Sequence, residues 1–128
     1  MGVGEEIGLG KITGEDYACP KFEENLHKEN PGLLKSDEDS DCPCNSYKIA
    51  LFMDENPESK DFHFYRQDED MSWSHKIGGL PATQLDASNK KIDHPSSANR
   101  NYTKYKKHYN SSCGYYCVPY KQHEHLDS

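Results

Sequence analysis

Residues 47–67 read YKIALFMDENPESKDFHFYRQ. Tyr47 to Met53 is an almost unbroken apolar run bounded by turn residues, the pattern of a central strand buried on both faces. Asp54 to Lys60 (DENPESK) is a turn by composition. Asp61 to Gln67 alternates, with Phe62, Phe64 and Arg66 on one face and His63 and Tyr65 on the other. Asp68-Glu69-Asp70 makes a further, acidic turn. Ser72 to Lys76 follows, with Trp73 and His75 sharing a face. Three consecutive strands linked by turns form an antiparallel meander.

Outward from this meander the patterns weaken. On the N-terminal side, residues 35–41 (KSDEDSD) are a charged linker with almost nothing to bury. Before them Cys19 and Pro20 open a short helix over 21–29, since Pro fits the first helical turn and Phe22 and Leu26 lie four apart on one face. Asn30-Pro31-Gly32 ends it. Residues 1–18 are Gly-rich and aperiodic. On the C-terminal side, 77–101 is loop, and tyrosines at 102, 105 and 109 have the spacing of one helical face. Tyr115 to Tyr120 reads as a short strand whose Pro119 demands an edge or an end. The fold class is therefore α+β: a small antiparallel β-meander with one or two short helices and long loops. The expected organisation is an acidic N-terminal arm over 1–41, a compact β-rich module over 42–121 and a polar tail over 122–128.

Composition explains why the module must be aromatic. Only 33% of the 128 residues are hydrophobic, and the mean hydropathy is -1.07. Nine Tyr, four Phe and one Trp compensate with large buried areas, which makes Trp73 a packing anchor. The net charge of -7 is uneven: residues 1–61 hold 15 acids against 6 bases, and 62–128 hold 7 against 9. That asymmetry points to a protein partner met through the acidic arm and excludes nucleic acid as its ligand. Nothing apolar is long enough to span a bilayer. The start MGVGEEIGLGKITG has neither a basic end nor an apolar core, so it is not a secretory signal, and Glu6 stands where myristoylation wants Ser or Thr. Cytoplasm, or the interior of a particle, is the expected location. The sequons at Asn101 and Asn110 carry meaning only in a secreted chain and are read as chance.

Three constellations bear on chemistry. Cys19 at a helix start, or Cys44 before the first strand, followed by His75 and Asp86, has the chain order of a papain-like thiol hydrolase, in which an imidazole lowers the thiol pKa. Cys42-Pro-Cys44 and Cys113-Gly-Tyr-Tyr-Cys117 are two pairs that can converge on zinc as Cys42, Cys44, Cys113 and Cys117, or join as disulfides. In a reducing compartment all five cysteines remain thiols. A core this poor in aliphatics gains from a clasp, so Cys113 and Cys117 are expected near Cys42 and Cys44. His123 and His125 read as a tail rather than a ligand pair. Asp37, Asp39 and Asp41 fail as a calcium loop, because Cys42 stands where Gly is needed and Lys48 where a bidentate Glu is needed.

The strings Phe64-Tyr65-Arg66-Gln67-Asp68, Trp73-Ser74-His75-Lys76, Leu85-Asp86-Ala87-Ser88 and Cys113-Gly-Tyr-Tyr-Cys-Val-Pro119 together resemble small domains of bacteria and large DNA viruses. That group has no settled activity, so the resemblance transfers no catalytic residue. Its usual loop runs Trp-Ser-His-Lys-Pro-Gly, whereas Ile77 replaces the Pro here. The resemblance implies that 61–119 is the heart of the module and favours a viral setting. The function expected is a non-enzymatic interaction or structural subunit of a larger assembly, with no cofactor. The alternative is the thiol hydrolase.

Overall fold

A computed structural model of the chain describes residues 18–56, 60–76, 81–102, 104 and 107–120. The Gly-rich start of the arm, the tail and His123 and His125 lie outside the described residues. The fold is α+β. Helix α1 spans Cys19–Glu29. The strands are β1 (Leu34–Ser36), β2 (Ser46–Asp54), β3 (Asp61–Gln67), β4 (Trp73–His75), β5 (Asn101–Tyr102), β6 (Lys107–His108) and β7 (Ser111–Pro119). Five of them form an antiparallel sheet in the order β1-β7-β2-β3-β4, and β5 pairs with β6 separately.

β2 lies at the centre of that order, so both of its edges are hydrogen-bonded and both of its faces are covered. This is why it carries no alternation: Tyr47 through Asp54 are all buried. On one face, Tyr47, Ile49, Leu51 and Met53 meet Phe22 and Leu26 of α1, with Leu33, Phe64, Tyr116 and Val118. On the other, Ala50 and Phe52 pack with Tyr65, Trp73, Ile92, Tyr109 and Tyr115, with Ala98 and Tyr102 against them. The helix is thus a cover and not part of a free arm. Phe22 and Leu26, buried four residues apart, each contribute about 1.5–3 kcal/mol of apolar burial. Its N-terminus has no side-chain cap of its own, but the Cys19 N–H donates to Glu55 Oε2 at 3.1 Å across the chain. At the other end the Asn30 backbone N–H and its Nδ2 both donate to the Leu26 carbonyl. With α1 and β1 in the body, the compact unit reaches back to Ala18 and does not begin at 42.

Two further expectations change. Tyr102 and Lys107 lie on paired strands, register Tyr102↔Lys107, so Tyr102 and Tyr109 do not share a helical face, and Tyr105 lies outside the described residues. The C-terminal strand is longer than 115–120 and internal, between β1 and β2, with Pro119 at its end. A bulge between Leu51 and Phe52 breaks its register, and Gly114 sits there at φ 147°. An added Cβ at Gly114 would meet the Tyr116 hydroxyl at 3.1 Å.

Two disulfides close the body. Cys19–Cys113 ties α1 to the start of β7 on the helix-covered face, across 94 residues of sequence. Cys42–Cys117 ties the loop before β2 to the C-terminal part of β7, across 75 residues. The expected clasp therefore forms for Cys42 and Cys117, while Cys113 takes Cys19 as its partner. Cys44 is exposed and unpaired.

Candidate functional site

Alternation on β3 and β4 turns His63, Tyr65, Trp73 and His75 to the loop-covered face, where five tyrosine and histidine rings surround one another. His63 stacks on Tyr109 with centroids 4.8 Å apart, and His75 stacks on Tyr65 at 4.7 Å. Tyr102 packs near both histidines. His63 Nε2 lies 2.7 Å from His75 Nδ1, and His75 Nε2 lies 2.7 Å from the Leu85 carbonyl oxygen.

These contacts fix the protons. A carbonyl only accepts, so His75 carries its proton on Nε2 and donates it to Leu85. Its Nδ1 then accepts from His63 Nε2–H, and both rings are neutral. Burial pushes His63 down to about 3, with His75 as the second cause, and burial also lowers His75 against the opposing effects of Leu85 and Asp86. Tyr102 is pushed up to about 12 by burial. The Tyr109 hydroxyl donates to Asp61 Oδ2 at 2.9 Å. The two imidazoles form a neutral donor–acceptor chain that ends on the Leu85 carbonyl inside the core.

That arrangement does not serve a thiol hydrolase. Cys19 is in a disulfide and packs on the helix-covered face, whereas His75 lies on the opposite face of the same sheet. Cys44 is exposed, but His75 is buried, with both ring nitrogens engaged, so it has no free nitrogen to take a thiol proton. Asp86 does not orient His75 through a hydrogen bond either. Its Oδ1 accepts from the Ser88 N–H, the Ser88 hydroxyl and the Lys90 N–H, and its Oδ2 accepts from the Asn99 N–H. Burial alone would raise its pKa, but those donors outweigh it and hold the carboxylate at about 2. Asp86 is a loop organiser.

The zinc arrangement fails for the same covalent reason. Cys42 and Cys117 are bonded to each other, Cys113 is bonded to Cys19, and Cys44 stands alone. Among the described residues no group of three or more His, Cys, Asp or Glu side chains is placed to hold a metal ion.

Much of the acidic segment before β2 is also engaged within the fold. Glu38 accepts from the Tyr115 hydroxyl at 2.6 Å and from the Ser96 hydroxyl. Burial opposes its ionisation, yet these donors hold its pKa below the usual range. Glu23 accepts from the Tyr116 hydroxyl at 2.8 Å and pairs with Lys35. The buried Lys48 ammonium donates to the carbonyls of Glu38 and Ser40. Arg100 lies 4.1 Å over the Phe52 ring and donates to the Pro95, Ser96 and Tyr109 carbonyls. Sequence reading missed the Tyr115–Glu38 and Tyr116–Glu23 pairs, because partners 77 and 93 residues apart leave no local pattern.

An open concavity lies elsewhere, where β3 ends and β4 begins. It is a groove of about 590 Å³ lined by Arg66, Gln67, Asp68, Asp70, Gln84 and Tyr120 among others. The Arg66 guanidinium rests 4.0 Å over the Tyr47 ring, and Ser74 Oγ and Gln84 Nε2 donate to Asp68 and to Ser72. Met71, 60% exposed, stands in the adjoining turn. No protein-family model, no curated protein and no solved structure matches the chain. No helix among the described residues is long and apolar enough to cross a membrane.

Proposed function

We propose that the protein is a non-catalytic binding module, held rigid by two long-range disulfides and working in an oxidising compartment. The observation that carries this reading is the state of the chemistry-bearing residues. Four of five thiols are covalently closed on two faces of one sheet, and the two core imidazoles are engaged with each other and with backbone. Disulfides of this kind persist in oxidising surroundings and are rare in the cytosol. The partner surface is the groove between Arg66 and Gln84 with Met71 beside it. Its mixed charge suits a polar protein segment, and an exposed Met adapts to varied apolar contacts. The resemblance to domains of large DNA viruses extends the proposal to a subunit of a larger particle.

Thiol kinetics test the reading. The non-reduced protein should offer one thiol equivalent to alkylation, that of Cys44. A thiol that stays reactive below neutrality, as an imidazolium-paired thiolate does, would restore the hydrolase.

A further inference from the structure

The oxidising compartment changes the meaning of the second sequon, Asn110-Ser111-Ser112. Resting on that compartment, we propose that Asn110 is an acceptor for N-linked glycan. Asn110 is exposed in the turn that joins β6 to β7, and Ser112, which supplies the required hydroxyl two residues on, is exposed as well. Ser111, between them, is not Pro, so the Asn-X-Ser pattern is intact. The backbone supports a protruding side chain here: the Asn110 N–H closes a tight turn onto the His108 carbonyl at 2.9 Å, and the Tyr109 N–H bonds the Arg100 carbonyl. Neighbouring Tyr109 is anchored in the core, which fixes the turn from below. Asn101 is exposed too, but its Thr103 lies outside the described residues, so the proposal stands on Asn110.

Position agrees with the binding reading. The register places Ser111 opposite Met53, at one end of β2, while Pro119 faces Ser46 at the other end, beside the groove residue Tyr120. The strand between them spans roughly 25 Å at about 3.3 Å per residue. A glycan on Asn110 would stand at the far end of the sheet and leave the groove open.

In the reaction the Asn110 amide nitrogen forms a bond to the anomeric carbon of an oligosaccharide carried on a lipid pyrophosphate. The anomeric carbon–oxygen bond breaks, the lipid pyrophosphate leaves with the electron pair, and one amide proton passes to the transferase. The test is the full chain secreted from eukaryotic cells, digested with peptide N-glycosidase in heavy-oxygen water and mapped by mass spectrometry without reduction. The expected result is an isotopically marked Asp at position 110. The mark should be lost in Asn110→Gln and Ser112→Ala and kept in Ser111→Ala. An unmarked Asn110 in protein that contains both disulfides overturns the glycan alone. Protein recovered without the disulfides overturns the compartment reading and the glycan together.

Discussion

At the scale of single residues, the neutral His63–His75 pair has a consequence for stability. Both folded pKa values lie below the ordinary histidine value of 6.5, so between the two limits the unfolded chain binds more protons than the folded one. Stability from the pair is complete above about pH 6.5 and is lost as the pH falls toward about 3. The groups around the pair do not mask this. Tyr65, Tyr102 and Tyr109 are all raised by burial and stay neutral, while Asp86 has a lowered pKa and stays ionised between pH 7 and pH 5. Urea midpoints should therefore fall from pH 7 to pH 5 in the parent and fall less steeply in His63→Phe. An unchanged slope in that variant would show that the imidazoles are not buried as neutral groups. Trp73, 2% exposed and edge-on to Tyr115 at 6.0 Å, should cost about 3–5 kcal/mol when replaced by Ala, measured by denaturant unfolding. A loss under about 1 kcal/mol would place the ring on the surface.

At the scale of elements, β7 is the piece on which the others converge. It pairs with β1 and β2 and takes both disulfides, and its bulge brings Cys113 to the helix-covered face. Gly114→Ala should destabilise by about 1–3 kcal/mol, because a side chain at φ 147° is strained and its Cβ crowds Tyr116. A neutral result by thermal unfolding would mean that the bulge relaxes. Removing Cys19–Cys113 by a double Ser replacement should cost about 2–5 kcal/mol and speed amide exchange in α1 more than in β2. Equal protection of α1 with and without the bridge would show that Phe22 and Leu26 alone hold it. β2, β3 and β4 were legible because burial on both faces, or on alternating sides, writes a local pattern. β1, β5 and β6 were not, since two- and three-residue strands are too short to carry a period. The cysteine pairing was not legible for a related reason. Whether Cys113 faces α1 or the 37–45 loop depends on one extra residue in a bulge, and hydrophobic patterning does not record it.

At the scale of the whole molecule, an aromatic sheet is covered on one side by a helix and on the other by a loop segment pinned by Glu38, Asp86 and Arg100. The thin aliphatic supply visible in the composition is offset by rings and by two crosslinks. In the chain-entropy picture each crosslink alone contributes about 4–5 kcal/mol for loops of this length, and less together because the loops interleave. Of the site, the sequence showed which residues carry chemistry but not which side of the sheet each occupies, and that placement separates Cys19 from His75. The same placement makes the covalent state of the cysteines the central claim. Peptide mapping of the non-reduced protein by mass spectrometry tests it directly. Linked peptides joining Cys19 to Cys113 and Cys42 to Cys117 are expected, with Cys44 alone alkylated. Five alkylated thiols in the native protein, or a link that includes Cys44, would contradict it.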